Sequence, residues 1–522
     1  MYIMGERYVF GANNKIVGEY DHSLAVKCAK GTYVGSLDDG VLSFKGIHYA
    51  LPPVGKLRWH EPVEVPDSDE VFEAKYYGFA CPQNTDLPTP RSEDCLTLNI
   101  WTDPATLSQK KPVMVWIHGG AFVAEAAGDY LYHGHNFGVA HKDEVVLVTV
   151  EYRLGVTGFL QLEELFGEEY RNSNNLGLLD QIEALKWIQK NIAAFGGDPE
   201  HVTIFGESAG AGSTSLLSIS PKAQGLFKRS ISQSGASGFA YSREYMLENT
   251  KKWIEDNHCK TIDDLLALPM EALANGFQVA PTYQSEVLPY DGYEQMFEAW
   301  RTGPGKDVDM MTGTNQHEMA YFVLEMKDPY VFALHELSLQ DQRRSYIADE
   351  DKWRFDKLME VTDGKDIMTP LMRMTNDLIF HAQAYAQSIS HGANEGTGRT
   401  YMYHCTTESH CDRAEYQGFN IGACHAVEVS YVLNNLHWPE VSGPEQDQKF
   451  AETFQRMWIN FAKTGDPSIP GIEWPEFTKE NWNVMVLDDG AKGGFRIDNT
   501  MLKDEMELAL PLAKYRTMEA GL

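Results

Sequence analysis

Several features that mark other protein classes are missing from this chain. The N-terminal residues before Tyr8 contain no basic segment followed by an apolar run, so we expect no signal peptide. The longest apolar runs, such as residues 145–150, have the length of a strand and fall far short of the ~20 residues that span a bilayer. No repeat, low-complexity tract or Pro/Ser-rich linker is present. We therefore expect residues 1–522 to form one domain with insertions.

Cysteine and basic residues are also few. Seven cysteines is an odd number, so at least one thiol is unpaired, which fits a reducing compartment and predicts a cytoplasmic protein. The 44 Lys and Arg residues are outnumbered by 75 Asp and Glu residues, which gives a formal net charge of −31. Because such a charge repels nucleic-acid phosphates and anionic lipid surfaces, we expect neither a nucleic-acid partner nor a membrane partner.

The chain does contain strand and helix patterns in an order typical of α/β proteins. Apolar segments of strand length lie at residues 98–101, 112–120, 145–150, 201–205, 229–235, 310–313 and 400–403. Residues 180–192 have the apolar spacing of a helix. This order predicts a large central, mostly parallel sheet with helices on both faces. Short β-rich pieces between glycine turns at residues 8–10, 32–34 and 41–44 predict a small N-terminal antiparallel β element.

A G-x-S-x-G motif at residues 206–210 lies between an apolar strand and a run of small residues. A serine on a tight strand-to-helix turn has a strained backbone, and Gly206 and Gly210 avoid side-chain collisions there. The helix that follows points its N-terminal N–H groups toward the serine, with Ala209 as the nearest donor. The motif predicts that Ser208 is a nucleophile.

Together these segments resemble the type-B carboxylesterase/lipase family of α/β hydrolases, which includes the cholinesterases. The resemblance extends over residues 44–62, 93–101, 118–122, 151–155, 174–210, 226–235 and 458–467. It implies an α/β-hydrolase fold and a serine carboxylic-ester hydrolase that acts on a small-molecule ester through an acyl-enzyme. No cofactor is needed for this chemistry.

The resemblance also implies the partners of Ser208. The family's acid is the glutamate of a G-x-N-x-x-E segment, here Glu318, and its base is the histidine of a G-x-x-H-x-x-E segment, here His425. A serine hydroxyl needs an imidazole to accept its proton and a carboxylate to fix the tautomer of that imidazole. We therefore expect a catalytic triad of Ser208, Glu318 and His425, with activity that rises through an imidazole pKa near ~6.5.

Backbone N–H groups for an oxyanion hole are expected at a second motif. The glycines that follow His118 let the chain approach a substrate oxygen without Cβ interference, so Gly119, Gly120 and Ala209 are the candidates. Glu207, beside the nucleophile, is assigned to the substrate pocket, where a carboxylate favours neutral or cationic substrates over anionic ones.

Two segments depart from the family pattern. Glu151 stands where an asparagine usually precedes the Tyr-Arg-Leu-Gly sequence, and we expect it not to touch the chemistry. The segment from Cys81 to Cys95 is short, polar and without aromatic residues, which disfavours both a cholinesterase-like cation site and a lipase-like apolar flap. This segment predicts a preference for small to medium, uncharged esters. The sequence leaves a Cys81–Cys95 disulfide open, but in a cytoplasmic protein we expect both cysteines as free thiols.

Three alternatives compete with this interpretation. The residues His404, Cys405, His410 and Cys411 fit no common zinc spacing, so we expect no metal. A catalytically dead adhesion or scaffold module of the same fold is disfavoured because all three triad residues are present. An amidase or acyltransferase that uses the same triad stays open, and a substrate panel separates it from an ester hydrolase.

Overall fold

The computed structural model describes residues 10–11, 13–274, 278–326, 329–360, 368–409, 415–416, 419–436, 448–491, 493–515 and 519. These residues divide into two compact units. Unit 1 comprises the described residues up to Phe205 together with Pro221–Lys228 and Ser242–Pro289. Unit 2 comprises Gly206–Ser220, Arg229–Tyr241 and the described residues from Tyr290 onward. The division does not test the expectation of one domain with insertions, which stays a prediction.

Strands and helices alternate along much of the chain. The strands are β1 (Ala25–Cys28), β2 (Gly31–Val34), β3 (Ser36–Asp38), β4 (Val41–His48), β5 (Val71–Glu73), β6 (Thr97–Thr102), β7 (Lys111–Ile117), β8 (Val146–Val150), β9 (Gly197–Glu207), β10 (Arg229–Gln233), β11 (Asp309–Asn315), β12 (Thr400–Cys405), β13 (Glu415–Tyr416), β14 (Phe419–Asn420), β15 (Val484–Leu487) and β16 (Arg496–Asp498). The helices are α1 (His135–His141), α2 (Gly155–Gly158), α3 (Glu163–Phe166), α4 (Leu176–Asn191), α5 (Ala209–Ile219), α6 (Arg243–Asp256), α7 (Ile262–Leu266), α8 (Met270–Leu273), α9 (Tyr293–Arg301), α10 (Ala320–Glu325), α11 (Pro329–Ser345), α12 (Lys352–Leu358), α13 (Met368–Thr375), α14 (Ala382–His391), α15 (Val429–Val432), α16 (Gln448–Thr464) and α17 (Lys503–Ala509).

Unit 1 contains six strands in the order β9-β7-β8-β6-β4-β3. The pair β7 and β8 is parallel, whereas β8/β6, β6/β4 and β4/β3 are antiparallel. All five residues of β8 are buried, so this strand is covered on both faces, as expected for a near-continuous run of Val and Leu. The predicted helix at residues 180–192 corresponds to α4, which begins one turn earlier.

A small second sheet in unit 1 has the order β1-β2-β5. Strands β1 and β2 are antiparallel, and β5 joins β2 in parallel. Of the pieces predicted for this element, residues 32–34 lie in β2. Residues 41–44 instead lie in β4 of the larger sheet, and residues 8 and 9 fall outside the described chain.

Five strands of unit 2 pair in the order β16-β15-β12-β11-β10, and β13 and β14 pair separately. Strands β10, β11, β12 and β15 are parallel to one another, and β16 is antiparallel to β15 at the edge. Because parallel strands end at the same edge of a sheet, the loops after β10 and β11 lie side by side. Within the described residues, no helix combines the length and apolarity that crossing a bilayer requires.

Candidate active site

Ser208 lies on a tight turn between the end of β9 and the start of α5. Its φ of 56° and ψ of −123° lie outside the regions that L-residues favour, so the backbone there is strained. The Ser208 N–H donates to the Gln233 carbonyl at 2.8 Å, and the Ser208 carbonyl accepts from the Gly212 N–H at 2.9 Å. A Cβ on Gly235 would lie 2.5 Å from the Ser208 carbonyl oxygen, so a glycine is needed for this close approach. The elbow geometry expected from the motif is observed.

Glu318 and His425 meet in unit 2. Glu318 follows β11, and its Oε2 lies 2.7 Å from His425 Nδ1. Its other oxygen, Oε1, accepts from the Ser234 hydroxyl at 2.7 Å and from the Asn315 N–H at 2.6 Å. The Glu318 side chain is fully buried, so these hydrogen bonds replace the water that an ionised carboxylate would otherwise bind. Both oxygens of Glu318 are therefore fixed, and one of them orients the imidazole.

Glu207 contacts the opposite side of the same imidazole. Its Oε1 lies 3.0 Å from His425 Nε2, and both side chains are buried. Burial by itself lowers the pKa of His425, but the charges of Glu207 and Glu318 outweigh it and raise the pKa to about 9. The expectation of an unperturbed value near ~6.5 is therefore wrong, because two carboxylates face one imidazole.

Aromatic rings surround His425 on its remaining sides. The centroid of the Phe380 ring lies 4.9 Å from that of His425, and the Phe322 ring lies at 5.5 Å. Phe239 packs edge-on against Phe380 at 5.9 Å. These rings limit access of water to the imidazole and leave an apolar surface beside it.

The glycines after His118 lie at the end of β7 in unit 1. Gly120 has a φ of +85°, and a Cβ there would lie 2.3 Å from the Ala124 carbonyl oxygen, so no other residue fits without a shift. Among the described residues, none accepts a hydrogen bond from the backbone N–H of Gly119 or Gly120. The same holds in unit 2 for the N–H of Ala209, the first residue of α5. These three groups are able to donate to another acceptor.

Glu151 contacts His118, which precedes these glycines and is not one of the predicted catalytic residues. Its Oε2 lies 3.6 Å from His118 Nε2, and both side chains are buried. Burial raises the pKa of Glu151 above its usual range, with the His118 contact opposing it. The Tyr152 hydroxyl donates to the His118 carbonyl at 2.9 Å. Glu151 and Tyr152 therefore support the backbone from which Gly119 and Gly120 extend.

With this geometry established, comparisons with known proteins identify the family. Residues 25–509 match the model of the carboxylesterase family. The para-nitrobenzyl esterase of Bacillus subtilis (strain 168) is 35% identical over 486 residues, which cover 88% of this chain and 93% of that protein. The chain belongs to the carboxylesterase family.

Other relatives agree. The acetylcholinesterase of Electrophorus electricus is 28% identical over 530 residues, covering 88% of this chain and 82% of that protein. A solved carboxylesterase of Geobacillus stearothermophilus is 31% identical, with a TM-score of 0.80 over 93% of this chain and 100% of that one. As a carboxylesterase, the chain has the α/β-hydrolase fold and hydrolyses carboxylic esters, as its sequence predicts. Nothing in these comparisons favours the scaffold, amidase or acyltransferase alternatives.

One prediction about the cysteines of this carboxylesterase is wrong. Cys81 and Cys95 form a disulfide across a sequence separation of 14, where free thiols are expected from the sequence. Their Cα atoms are 5.2 Å apart, within the range that a disulfide needs, and both residues are fully buried. The expectation of free thiols rests on the redox compartment alone. It is wrong because the fold brings the two residues into bonding geometry. The free cysteines among the described residues are Cys28, Cys259, Cys405 and Cys424.

Candidate metal ligands of the carboxylesterase lie at two places. Among the described residues, one group has the ligand spacing for an ion, and it consists of Asp38, Asp39 and His135 in unit 1. It includes none of the predicted site residues. His404 and Cys405 are buried at the end of β12, while residues 410 and 411 lie outside the described chain.

The sequence alone does not identify several polar residues around Glu318. Ser234 lies in a segment that carries the family resemblance, and Asn315 is the asparagine of the G-x-N-x-x-E segment, yet the motifs assign a role to neither. The Asn315 side chain also donates to Glu428 Oε2 at 2.6 Å, and Gln233 donates to Glu428 Oε1 at 3.2 Å. Burial and then the Glu318 charge raise the pKa of Glu428. The signal that could have found these residues is their place within family motifs.

Proposed function

We propose that this carboxylesterase hydrolyses small to medium, uncharged esters through an acyl-enzyme on Ser208, with His425 as the base and Glu318 as the acid that orients it. The observation that carries the proposal is the 2.7 Å contact between His425 Nδ1 and Glu318 Oε2, in the unit that also contains the strained Ser208. A carboxylate at Nδ1 holds the proton of the neutral imidazole there and leaves Nε2 able to accept one.

In the acylation half of this mechanism, His425 Nε2 accepts the Ser208 hydroxyl proton while Oγ bonds to the ester carbonyl carbon. The carbonyl oxygen becomes negative, and the N–H groups of Gly119, Gly120 and Ala209 stabilise it. The tetrahedral intermediate then expels the alcohol, which leaves with the proton from His425. The lack of other acceptors for these three N–H groups among the described residues supports their role.

Deacylation repeats these steps with water. His425 Nε2 accepts a proton from water as the water oxygen attacks the acyl carbon. The intermediate expels Ser208 Oγ, which regains its proton from His425, and the carboxylic acid is released. In both halves the imidazolium forms between Glu207 and Glu318, whose charges stabilise it.

The substrate class follows from the surroundings of His425. Glu207 penalises a substrate that brings a free carboxylate to within a few ångströms of it. The rings of Phe380 and Phe322 favour an apolar acyl or alcohol group beside the imidazole. The polar segment between Cys81 and Cys95 supplies no apolar flap for a lipid surface. One relative is named a para-nitrobenzyl esterase, and the para-nitrobenzyl group is an uncharged aromatic group.

We place this activity in the cytoplasm, with a small-molecule ester as the substrate and without cofactor, metal, nucleic acid or membrane. The charge of −31 and the free thiols among the described cysteines support this location. The Cys81–Cys95 disulfide is fully buried, so cellular reductants reach it poorly. Cell fractionation with a soluble marker enzyme as reference tests the location, and recovery in a periplasmic or extracellular fraction contradicts it.

The experiment for the function compares Ser208→Ala with Ser218→Ala on p-nitrophenyl esters of graded acyl length. Ser218 is a buried serine of α5 whose hydroxyl donates to the Thr214 carbonyl. We expect Ser208→Ala to lose several orders of magnitude in kcat with an unchanged fold, because the triad acts as a unit. Ser218→Ala should keep wild-type activity. An organophosphate should label the peptide with Ser208 in the wild type and in Ser218→Ala. Wild-type turnover by Ser208→Ala contradicts the proposal.

Substrate form separates the remaining possibilities. Matched amides and an excess of a competing alcohol should yield little product compared with ester hydrolysis. Tributyrin followed across its solubility limit should show a smooth rate curve, since no apolar flap is expected to open. A rate jump on emulsion formation, or efficient amide cleavage, contradicts the proposed substrate class.

A further inference from the structure

A π-helical segment, Asn376–His381, lies between α13 and α14 in unit 2. A π turn is less favourable than an α turn and appears mostly as single turns, often at functional sites. All six of its side chains are buried, including the polar side chains of Asn376, Asp377 and His381. Polar groups are costly in such a position unless they have specific partners. Those partners are at the proposed acid.

Two residues of the segment hold the loop that carries Glu318. Asn376 Oδ1 accepts from the Met319 N–H at 2.8 Å, and His381 Nε2 lies 3.0 Å from the Asn315 carbonyl oxygen. Met319 directly follows Glu318, and Asn315 is the residue whose N–H donates to Glu318 Oε1. The segment therefore fixes the acid loop on both sides of Glu318.

The His381 ring lies between two acceptors. Its Nδ1 is 3.1 Å from Asp377 Oδ1, and its Nε2 faces a carbonyl oxygen, which cannot donate. Burial lowers the pKa of His381, but Asp377, the Asn315 carbonyl and Glu318 outweigh it and raise the pKa. Both ring nitrogens face acceptors, and this geometry favours an imidazolium paired with Asp377.

The other groups that face His381 do not cancel this charge. His404 of β12 has its ring 5.5 Å away, and burial, followed by the charges of His381 and His317, holds its pKa well below the usual range. His404 is thus neutral. The carboxylates that raise the pKa of His381 are Asp377 on its own segment and Glu318 on the acid loop.

We propose that the segment Asn376–His381 positions the catalytic acid, with Asn376 and His381 clamping its loop and the Asp377–His381 ion pair setting the electrostatic potential at Glu318 and His425. This inference rests on the proposed function, since it concerns the same triad. Asp377 thereby acts through His381 and is not itself the residue that orients His425.

The experiment measures kcat, KM and the pH dependence of kcat/KM on p-nitrophenyl acetate for four variants. His381→Gln keeps a donor near the Asn315 carbonyl but leaves Asp377 without its cation, so the site becomes more negative. The acidic limb of the kcat/KM profile should therefore move to higher pH. We also expect kcat to fall about tenfold, because a positioned base contributes about 10²–10⁴-fold to the rate and the variant loses part of that positioning. KM should change little, because no substrate contact is lost.

Charge balance gives a second readout. The double variant Asp377→Asn/His381→Gln removes both charges, so its acidic limb should return close to that of the wild type while kcat stays reduced. Asn376→Ala removes the acceptor for the Met319 N–H without changing charge. It should lower kcat and leave the limb in place. If the segment serves folding alone, the acidic limb of the kcat/KM profile should stay at its wild-type pH in every variant.

His391→Gln is the matched control. His391 is also a fully buried histidine, at the end of α14, where it hydrogen-bonds Thr400 at 2.8 Å. Its replacement should lower the melting temperature without moving the acidic limb. The proposal is overturned if His381→Gln and His391→Gln have the same kcat and the same position of the acidic limb. If His381→Gln does not fold, the double variant and Asn376→Ala decide by kcat, and values no lower than that of His391→Gln overturn the proposal.

The same experiment separates this inference from the proposed function. If Ser208→Ala is inactive and unlabelled by organophosphate while the limb of His381→Gln is unmoved, only the positioning role fails. If Ser208→Ala retains wild-type turnover, the triad itself is wrong, whatever His381→Gln does.

Discussion

The Oε1 atom of Glu207 lies 3.0 Å from Nε2 of His425, while Glu318 Oε2 lies 2.7 Å from Nδ1 of the same ring. The imidazole thus lies between two buried carboxylates, and the protonated form is favoured in the free enzyme. An imidazole must be neutral to accept the Ser208 proton. In the proposed mechanism, Glu207 therefore sets the pH at which Ser208 becomes active.

Glu207→Gln should move the acidic limb of the kcat/KM profile to lower pH. In the wild type the pKa of His425 is raised to about 9, so the neutral base accumulates only as the pH rises through that value. Removing one facing carboxylate should lower the midpoint by about one to three pH units. The measurement is a pH–rate profile with an uncharged ester, with the exposed Glu200→Gln as control. Identical limbs for the wild type and Glu207→Gln would show that Glu207 does not influence the base.

Glu318→Gln should lower kcat by about 10⁴-fold, because an amide at Nδ1 no longer selects the productive tautomer. Its Ser234 and Asn315 donors leave the position of the side chain largely unchanged. The comparison is Asp377→Asn, which should lose far less activity because Asp377 contacts His381 and not His425. A greater loss in Asp377→Asn than in Glu318→Gln would reverse the two assignments.

Replacing both Cys81 and Cys95 by serine should lower the free energy of unfolding by about 3 kcal/mol, the value for a closed loop of about 15 residues. Equilibrium denaturation of the double variant measures this. Thiol titration of the denatured, unreduced wild type should detect at most five reactive thiols, since two of the seven cysteines are joined. Detection of seven would show that the disulfide is not formed.

Glu151→Gln should become more stable relative to the wild type as the pH rises. Burial raises the pKa of Glu151 in the folded chain, so its contribution to stability is present at low pH and is lost as the pH rises through the folded pKa. Thermal unfolding at about pH 5 and about pH 8 measures the difference, since an unfolded glutamate titrates near ~4.3. A difference between the two proteins that does not change with pH would contradict the raised pKa.

The parts of the site that are predictable are those with a local sequence signal. Ser208 lies in a pattern whose two glycines and flanking apolar strand are adjacent in the chain. Glu318 and His425 lie in segments that match family motifs. Strands such as β8 are predictable because they are buried on both faces and are therefore apolar at every position.

The remaining features depend on residues that are distant in the chain. The raised pKa of His425 requires Glu207 and Glu318 to converge on it, which composition does not report. The π-helical segment has no sequence signature of its own. Nothing in the sequence around Asp377 and His381 indicates that they form a buried pair. The disulfide is not predictable from the expected redox compartment, because its formation depends on the fold that brings Cys81 and Cys95 together.

The hydrogen bond from the Met319 N–H to Asn376 joins residues that are 57 apart in sequence. Beyond Phe322, whose ring lies beside His425, the chain leaves the site and returns to it at the π turn, so the described residues between them form an excursion that is closed at its base. The entropy of closing such a loop grows only slowly with its length. This excursion could therefore be lengthened, shortened or exchanged for that of a relative with little effect on the acid, which makes it a natural place to graft new substrate preferences.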